Sequence, residues 1–235
     1  MQQQKERNMK DFKNVFFLPH VGSNYENGLL LSEDGTIVPG TENCKGLKVM
    51  VLGESHYCGE ECGLASTCKK EECKTFTQGV LGYYLDYLKG NEEFEPWMNT
   101  FTKFGKALIG KDERPKEIWE SVIFYNYVQR AMNATRTSPS YKDFEDSESA
   151  FFEILEKYQP NIIITWGRRL YNNLPSTCGD FGKTFIVEGE EYYTWVYSLG
   201  DIHMDLLSIY HPSVGFDWKY WNNVIVEFFK IVSHE

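Results

Sequence analysis

The stretch VMVLGESHYCG, Val49 to Gly59, decides how the rest of the chain is read. Its mostly apolar part, Leu47 to Leu52, is too short for a helix and lacks the alternation of a half-buried strand. It is therefore expected to be a strand buried on both faces of a parallel sheet, stopped by Gly53. The polar run Gly53-Glu54-Ser55-His56-Tyr57 that follows then stands at the strand's carboxyl end, where open α/β sheets bind their ligands.

Working outward, the same signature recurs. SVIFYNYVQ is rich in β-branched and aromatic residues and predicts a strand running to about Tyr125. NIIITWG predicts a third buried strand with a glycine stop, and DLLSIYHPS a further one ended by a Pro turn. KTFIVE and YYTWVYS predict a hairpin around Gly189. Between these lie helical patterns. Val80, Leu81, Tyr84, Leu85 and Leu88 fall at helical spacing before Gly90-Asn91, a second helix is expected from about Trp97 to Ile109, and Pro115 opens a short turn. SESAFFEILEKYQP reads as an amphipathic helix, and a last helix runs from Asp217 with Trp218, Trp221, Val224, Ile225, Phe228, Phe229 and Val232 on one face. Strands alternating with helices predict a three-layer α/β/α fold with a mostly parallel central sheet. The 235 residues are expected to form a single domain, with residues 1–45 wrapping the core and a Cys-rich insertion over 58–75.

The composition narrows the partners. A net charge of −10 and a pI near 5.1 argue against broad affinity for polyanions, so any nucleic-acid contact needs local positive charge. Lys69 and Lys70, with Arg130, Arg136, Lys142, Arg168 and Arg169 near the ligand edge, offer such a basic mouth; the competing reading pairs these cations with surface carboxylates. No stretch approaches the ~20 apolar residues of a membrane span, and the start lacks the apolar segment of a signal peptide. The expectation is a cytoplasmic, monomeric protein without a membrane partner. Cys58, Cys62, Cys68 and Cys73 fall within sixteen residues. Their C-x3-C-x5-C-x4-C spacing leaves two readings open, a structural zinc site or reduced and partly disulfide-bonded thiols in a loop.

Taken in order, LGESHY after the first strand, FYN ending the second and IYHPSVGF before the C-terminal helix resemble the uracil-DNA glycosylase superfamily, over roughly Leu47 to the C-terminus. That family carries G-[EQ]-x-P-[YG] after its first strand, an Asn or equivalent ending a middle strand, and H-P-S opening the last loop. The resemblance implies a DNA glycosylase that removes uracil or another deaminated base from DNA by hydrolysing the N-glycosidic bond, with no cofactor required. Such enzymes flip the nucleotide into a pocket and read the base by its edge and by stacking. On this reading Glu54, His211, Ser55 and His56 are the catalytic set, and Tyr57, Phe76 and Asn126 bind the base. The Asn126 amide offers donor and acceptor to the O4 and N3–H edge of uracil. Phe76 stacks on the base, and Tyr57 crowds the C5 methyl of thymine. Gly53, Pro212, Ser213, Val214, Arg130 and Arg168 make the phosphate and DNA contacts, with Asp217 as N-cap of the last helix and Val214 or Phe216 as the apolar wedge.

The sequence also departs from the family. Its best-known branch has a catalytic Asp where Ser55 stands, which moves the carboxylate to Glu54, as in the G-E-x-P-G branch; the usual Pro is replaced by His56. Family members with an iron-sulfur cluster draw their cysteines from other regions. These departures keep a rival open: a catalytically inactive homologue that binds a nucleobase or nucleic acid. A hydrolase in which His56 or His211 activates a Ser or Cys is a third reading, against which stands the lack of any G-x-S-x-G pattern.

Overall fold

The computed structural model describes residues 12–58, 71–114, 116–134, 137–213 and 215–233. Cys62, Cys68, Lys69, Lys70, Pro115, Arg136 and Val214 lie outside the described residues. The apolar runs become strands as expected: β4 (Val49–Gly53), β5 (Val122–Asn126) and β6 (Ile162–Trp166) are buried at every position. With β9 (Ile202–Ile209) they form the parallel centre of a seven-stranded sheet, in the order β5-β4-β6-β9.

The flanks of the sheet are antiparallel. On one edge β1 (His20–Val21) pairs with β5; on the other the hairpin β7 (Gly179–Val187) and β8 (Glu190–Leu199) extends the sheet from β9. Glu188 and Gly189 join the hairpin with φ of 51° and 84°. Positive φ at both turn residues matches the turn to the right-handed twist of the strands, and glycine supplies it without strain. The N-terminal segment also forms strands. It contributes β1 to the main sheet and builds a separate hairpin from β2 (Leu29–Leu31) and β3 (Ile37–Pro39).

Alternate residues of the central strands feed two cores. Val49, Val51, Phe124, Ile164 and Ile209 face α1 (Phe76–Leu88), α2 (Met98–Ile109) and α7 (Trp218–Ser233). Met50, Leu52, Ile123, Tyr125 and Ile163 face α4 (Tyr141–Glu145) and α5 (Glu148–Tyr158), which follow the short α3 (Lys116–Trp119) and β5 in the chain. Helices thus cover both faces of a mixed sheet, an arrangement consistent with three layers. Short helices went unread in the sequence. Four residues of α3, five of α4 and five of α6 (Arg168–Asn172) are too few to show a helical period. Asp217 caps α7 through its Oδ1, which accepts from the amides of Lys219 at 3.0 Å and Tyr220 at 3.4 Å. Among the described residues no helix is long and apolar enough to cross a membrane.

Candidate functional site

Strands β4 and β6 are neighbours, yet the chain leaves β4 toward β5 on one side and leaves β6 toward β9 on the other. That reversal opens a crevice at their carboxyl ends. A cavity of about 870 Å³ lies there, lined by Gly53 to Tyr57 after β4, Asn126 at the end of β5, Trp166 to Leu170 at the end of β6, and Tyr210 and His211 after β9. Phe76, Val80, Trp97, Thr100, Phe101 and Phe124 complete its walls. The structure therefore brings Glu54, Ser55, His56, Tyr57, Phe76, Asn126, Arg168 and His211 around one space. Arg130, Pro212 and Ser213 are not part of this lining.

The floor is built by a glycine, an amide and an imidazole. Gly53 stands in register with Asn126, and a Cβ at Gly53 would lie 2.2 Å from Asn126 Oδ1, so only glycine lets that side chain cross the end of β4. The buried Asn126 places its Nδ2 3.1 Å from both nitrogens of His56, whose Nε2 is 2.8 Å from Thr77 Oγ1. Phe17 and Phe76 meet the imidazole edge to face, at centroid distances of 4.8 and 4.6 Å. Burial penalises the imidazolium and pushes the His56 pKa down to about 3. A neutral imidazole has one donor and one acceptor nitrogen, both spoken for by Thr77 and Asn126. The imidazole is buried, with its ring nitrogens turned to Thr77 and Asn126.

The opposite wall carries the charge. Glu54 and Arg169 form a two-pronged pair, Nε to Oε2 at 2.7 Å and Nη2 to Oε1, and Arg169 Nη1 also donates to Ser138 Oγ. The Glu54 side chain is 12% exposed and that of Arg169 51%. The carboxylate holds the Arg169 pKa above its ordinary value, chiefly through the hydrogen bond. His211 lines the cavity and is exposed to solvent; the partial desolvation there lowers its pKa, the Glu54 charge opposes the shift and the Arg169 charge adds to it. Its Nδ1 lies 2.9 Å from Ser213 Oγ and its ring 6.0 Å from Trp166. The Ser55 hydroxyl and the Trp166 indole nitrogen are buried with no hydrogen-bond partner among the described residues.

Several expected DNA contacts have other occupations. Arg130 grips Asp143 with Nε–Oδ1 and Nη2–Oδ2 at 2.8 and 2.9 Å, and Lys142 pairs with Asp146 at 2.7 Å. The carboxylate-paired reading of these cations therefore holds for Arg130, Lys142 and Arg169. Arg168 instead lies over the Tyr210 ring at 5.1 Å. Phe216, offered above as an alternative wedge, is buried and stacks on Trp221 at 6.0 Å with an interplanar angle of 5°; its place in the core removes it from any duplex. Cys58 and Cys73 pack against a small cluster with Phe17 and Ala131. No group of three or more His, Cys, Asp or Glu side chains arranged to hold a metal is found among the described residues.

Sequence reading missed Val80, Trp97, Thr100, Phe101 and Tyr210 as cavity residues. Tyr210 directly precedes the HPS motif and was within reach of a strand-end argument; the others come from helices whose approach to the strand ends the sequence does not encode. The walls offer flat aromatic faces, an amide edge, a fixed carboxylate and a neutral imidazole, a set suited to a planar heterocycle with hydrogen-bonding edges. No protein-family description matches this chain, and no curated protein is similar to it in sequence.

Proposed function

We propose that this cavity binds a nucleobase and that the protein hydrolyses its N-glycosidic bond, as a divergent glycosylase of uracil-DNA glycosylase type acting on uracil or another deaminated base. The observation that carries the reading is the convergence of Asn126, Phe76, Glu54 and His211 on one cavity at the carboxyl ends of β4, β5 and β9. Asn126 reads the base edge and Phe76 covers its face. As the C1′–N bond lengthens, positive charge grows on the sugar and negative charge on the base. Glu54 answers the first, and the N–H of a neutral His211 answers the second. Water then adds across the broken bond, its hydroxyl going to C1′ and its proton to the base nitrogen.

One observation favours a second reading, binding without cleavage. Both oxygens of Glu54 are engaged by Arg169, which offsets the negative charge the reaction calls for. The two readings separate in an assay of base release from nucleosides and oligonucleotides carrying uracil, hypoxanthine or xanthine, comparing the natural chain with Glu54→Gln and Asn126→Ala. Base release that Glu54→Gln abolishes and Asn126→Ala lowers at least tenfold supports the hydrolase. Retention of base or nucleoside without release supports the binder. A protein that neither releases nor retains any base loses both.

A further inference from the structure

We infer that the base enters the cavity as part of a free nucleoside rather than of a nucleic-acid strand. The inference rests on the base-binding reading above and names its substrate class.

The first ground is charge. A protein that engages duplex DNA neutralises several phosphates, roughly 6 to 10 in well-studied cases, with lysines and arginines free to approach them. Among the described residues, the cations expected at this face, Arg168 apart, already have partners. Arg169 is held by Glu54, Arg130 by Asp143 and Lys142 by Asp146, while Lys103 Nζ donates to the carbonyl of Ser213. Among the described residues Arg168 alone lines the cavity as a cation without a carboxylate partner, and it covers Tyr210. Against a chain charge of −10, this leaves no described track of positive charge for a polyanion to follow.

The second ground is size and lining. A volume of about 870 Å³ falls among the cavities that enclose whole small molecules, which run from ~300 to ~1,000 Å³. It has room for a sugar beside the base. The aromatic faces of Tyr57, Phe76, Trp97 and Tyr210 are 37 to 49% exposed at this cavity, and they suit an uncharged ring system more than a phosphate chain. The pairing of Glu54 with Arg169 also cancels the charges of both, which leaves Arg168 as the single uncompensated charge among the described lining residues.

The test compares kcat/KM of the full chain on deoxyuridine, uridine, deoxyinosine and xanthosine with that on single- and double-stranded oligonucleotides bearing the same bases, at 50 and 200 mM salt, with direct binding measured in parallel. The inference expects a free nucleoside to be used or bound at least as well as any oligonucleotide. It also expects kcat/KM or affinity for that nucleoside to change less than about twofold between the two salts, since no counterions are released. Trp97→Ala should then raise the KM or Kd for the nucleoside at least fivefold. An oligonucleotide preference of tenfold or more, falling steeply with salt, overturns the nucleoside inference and leaves the glycosylase reading standing. Absence of turnover and of binding on every substrate overturns both.

Discussion

Glu54 and Arg169 stand 115 residues apart in the chain and meet at the cavity wall as a two-pronged ion pair, with the carboxylate the more enclosed partner. Removing the arginine leaves that carboxylate without its counter-ion. Arg169→Ala is expected to lower unfolding stability by about 1 kcal/mol, the upper end for pairs with one partner in solvent. If the pair restrains Glu54, base release by the variant should rise or hold; if the pair positions Glu54, it should fall at least tenfold. Chemical denaturation with a base-release assay on one preparation gives both values.

Gly53→Ala places a methyl group 2.2 Å from Asn126 Oδ1, so the amide must turn away. We expect base or nucleoside affinity to drop at least tenfold and stability to fall by about 1 to 3 kcal/mol, as for other overpacked sites. Asn126→Ala combined with Gly53→Ala should recover most of the stability and none of the binding. Thermal melts of the three variants decide this.

His56 makes the protein acid-sensitive. Its folded pKa, near 3, lies below the ordinary 6.5, so between those values the unfolded chain takes a proton that the folded chain refuses. Stability from this group is full above pH 6.5 and is lost as the pH falls toward 3, with a slope of about 1.4 kcal/mol per pH unit. Burial lowers the pKa of His20 too, and it adds in the same direction. Urea unfolding at pH 7 and pH 5 should show the loss, and His56→Phe should flatten it while lowering stability at pH 7, because Thr77 loses its partner.

Arg130 is expected to act on stability alone. Asp143, which it grips, also closes a capping box with Ser140 at the start of α4. Desolvation works to raise the Asp143 pKa, but the Ser140 hydrogen bonds and Arg130 outweigh it and the net shift is downward. Arg130→Met should cost about 1 kcal/mol in denaturant unfolding and change substrate kinetics less than twofold. A tenfold rise in KM for an oligonucleotide would return Arg130 to the role the sequence suggested.

The sequence by itself determined the central strands and their carboxyl ends, though not β1 to β3 of the N-terminal segment. Val49–Gly53, Val122–Asn126 and Ile162–Trp166 are fully buried, and a buried strand leaves an unbroken apolar run that stops at a polar or turn residue. The residues at or just past those stops, with His211 after β9, therefore place Glu54, Asn126, Arg168 and His211 at one edge from the sequence alone. The tertiary structure alone decided what those residues do there. Strand order puts β4 beside β6 and so brings Arg169 to Glu54, and the path of α1 and α2 carries Phe76, Val80, Trp97 and Phe101 to the cavity. The same packing withdraws Phe216 onto Trp221 and ties Arg130 to Asp143. Burial along one strand is a local property of its residues. The partner of a charge or the cover of a ring depends on which distant segments the sheet makes neighbours, and that is fixed only when the whole core closes.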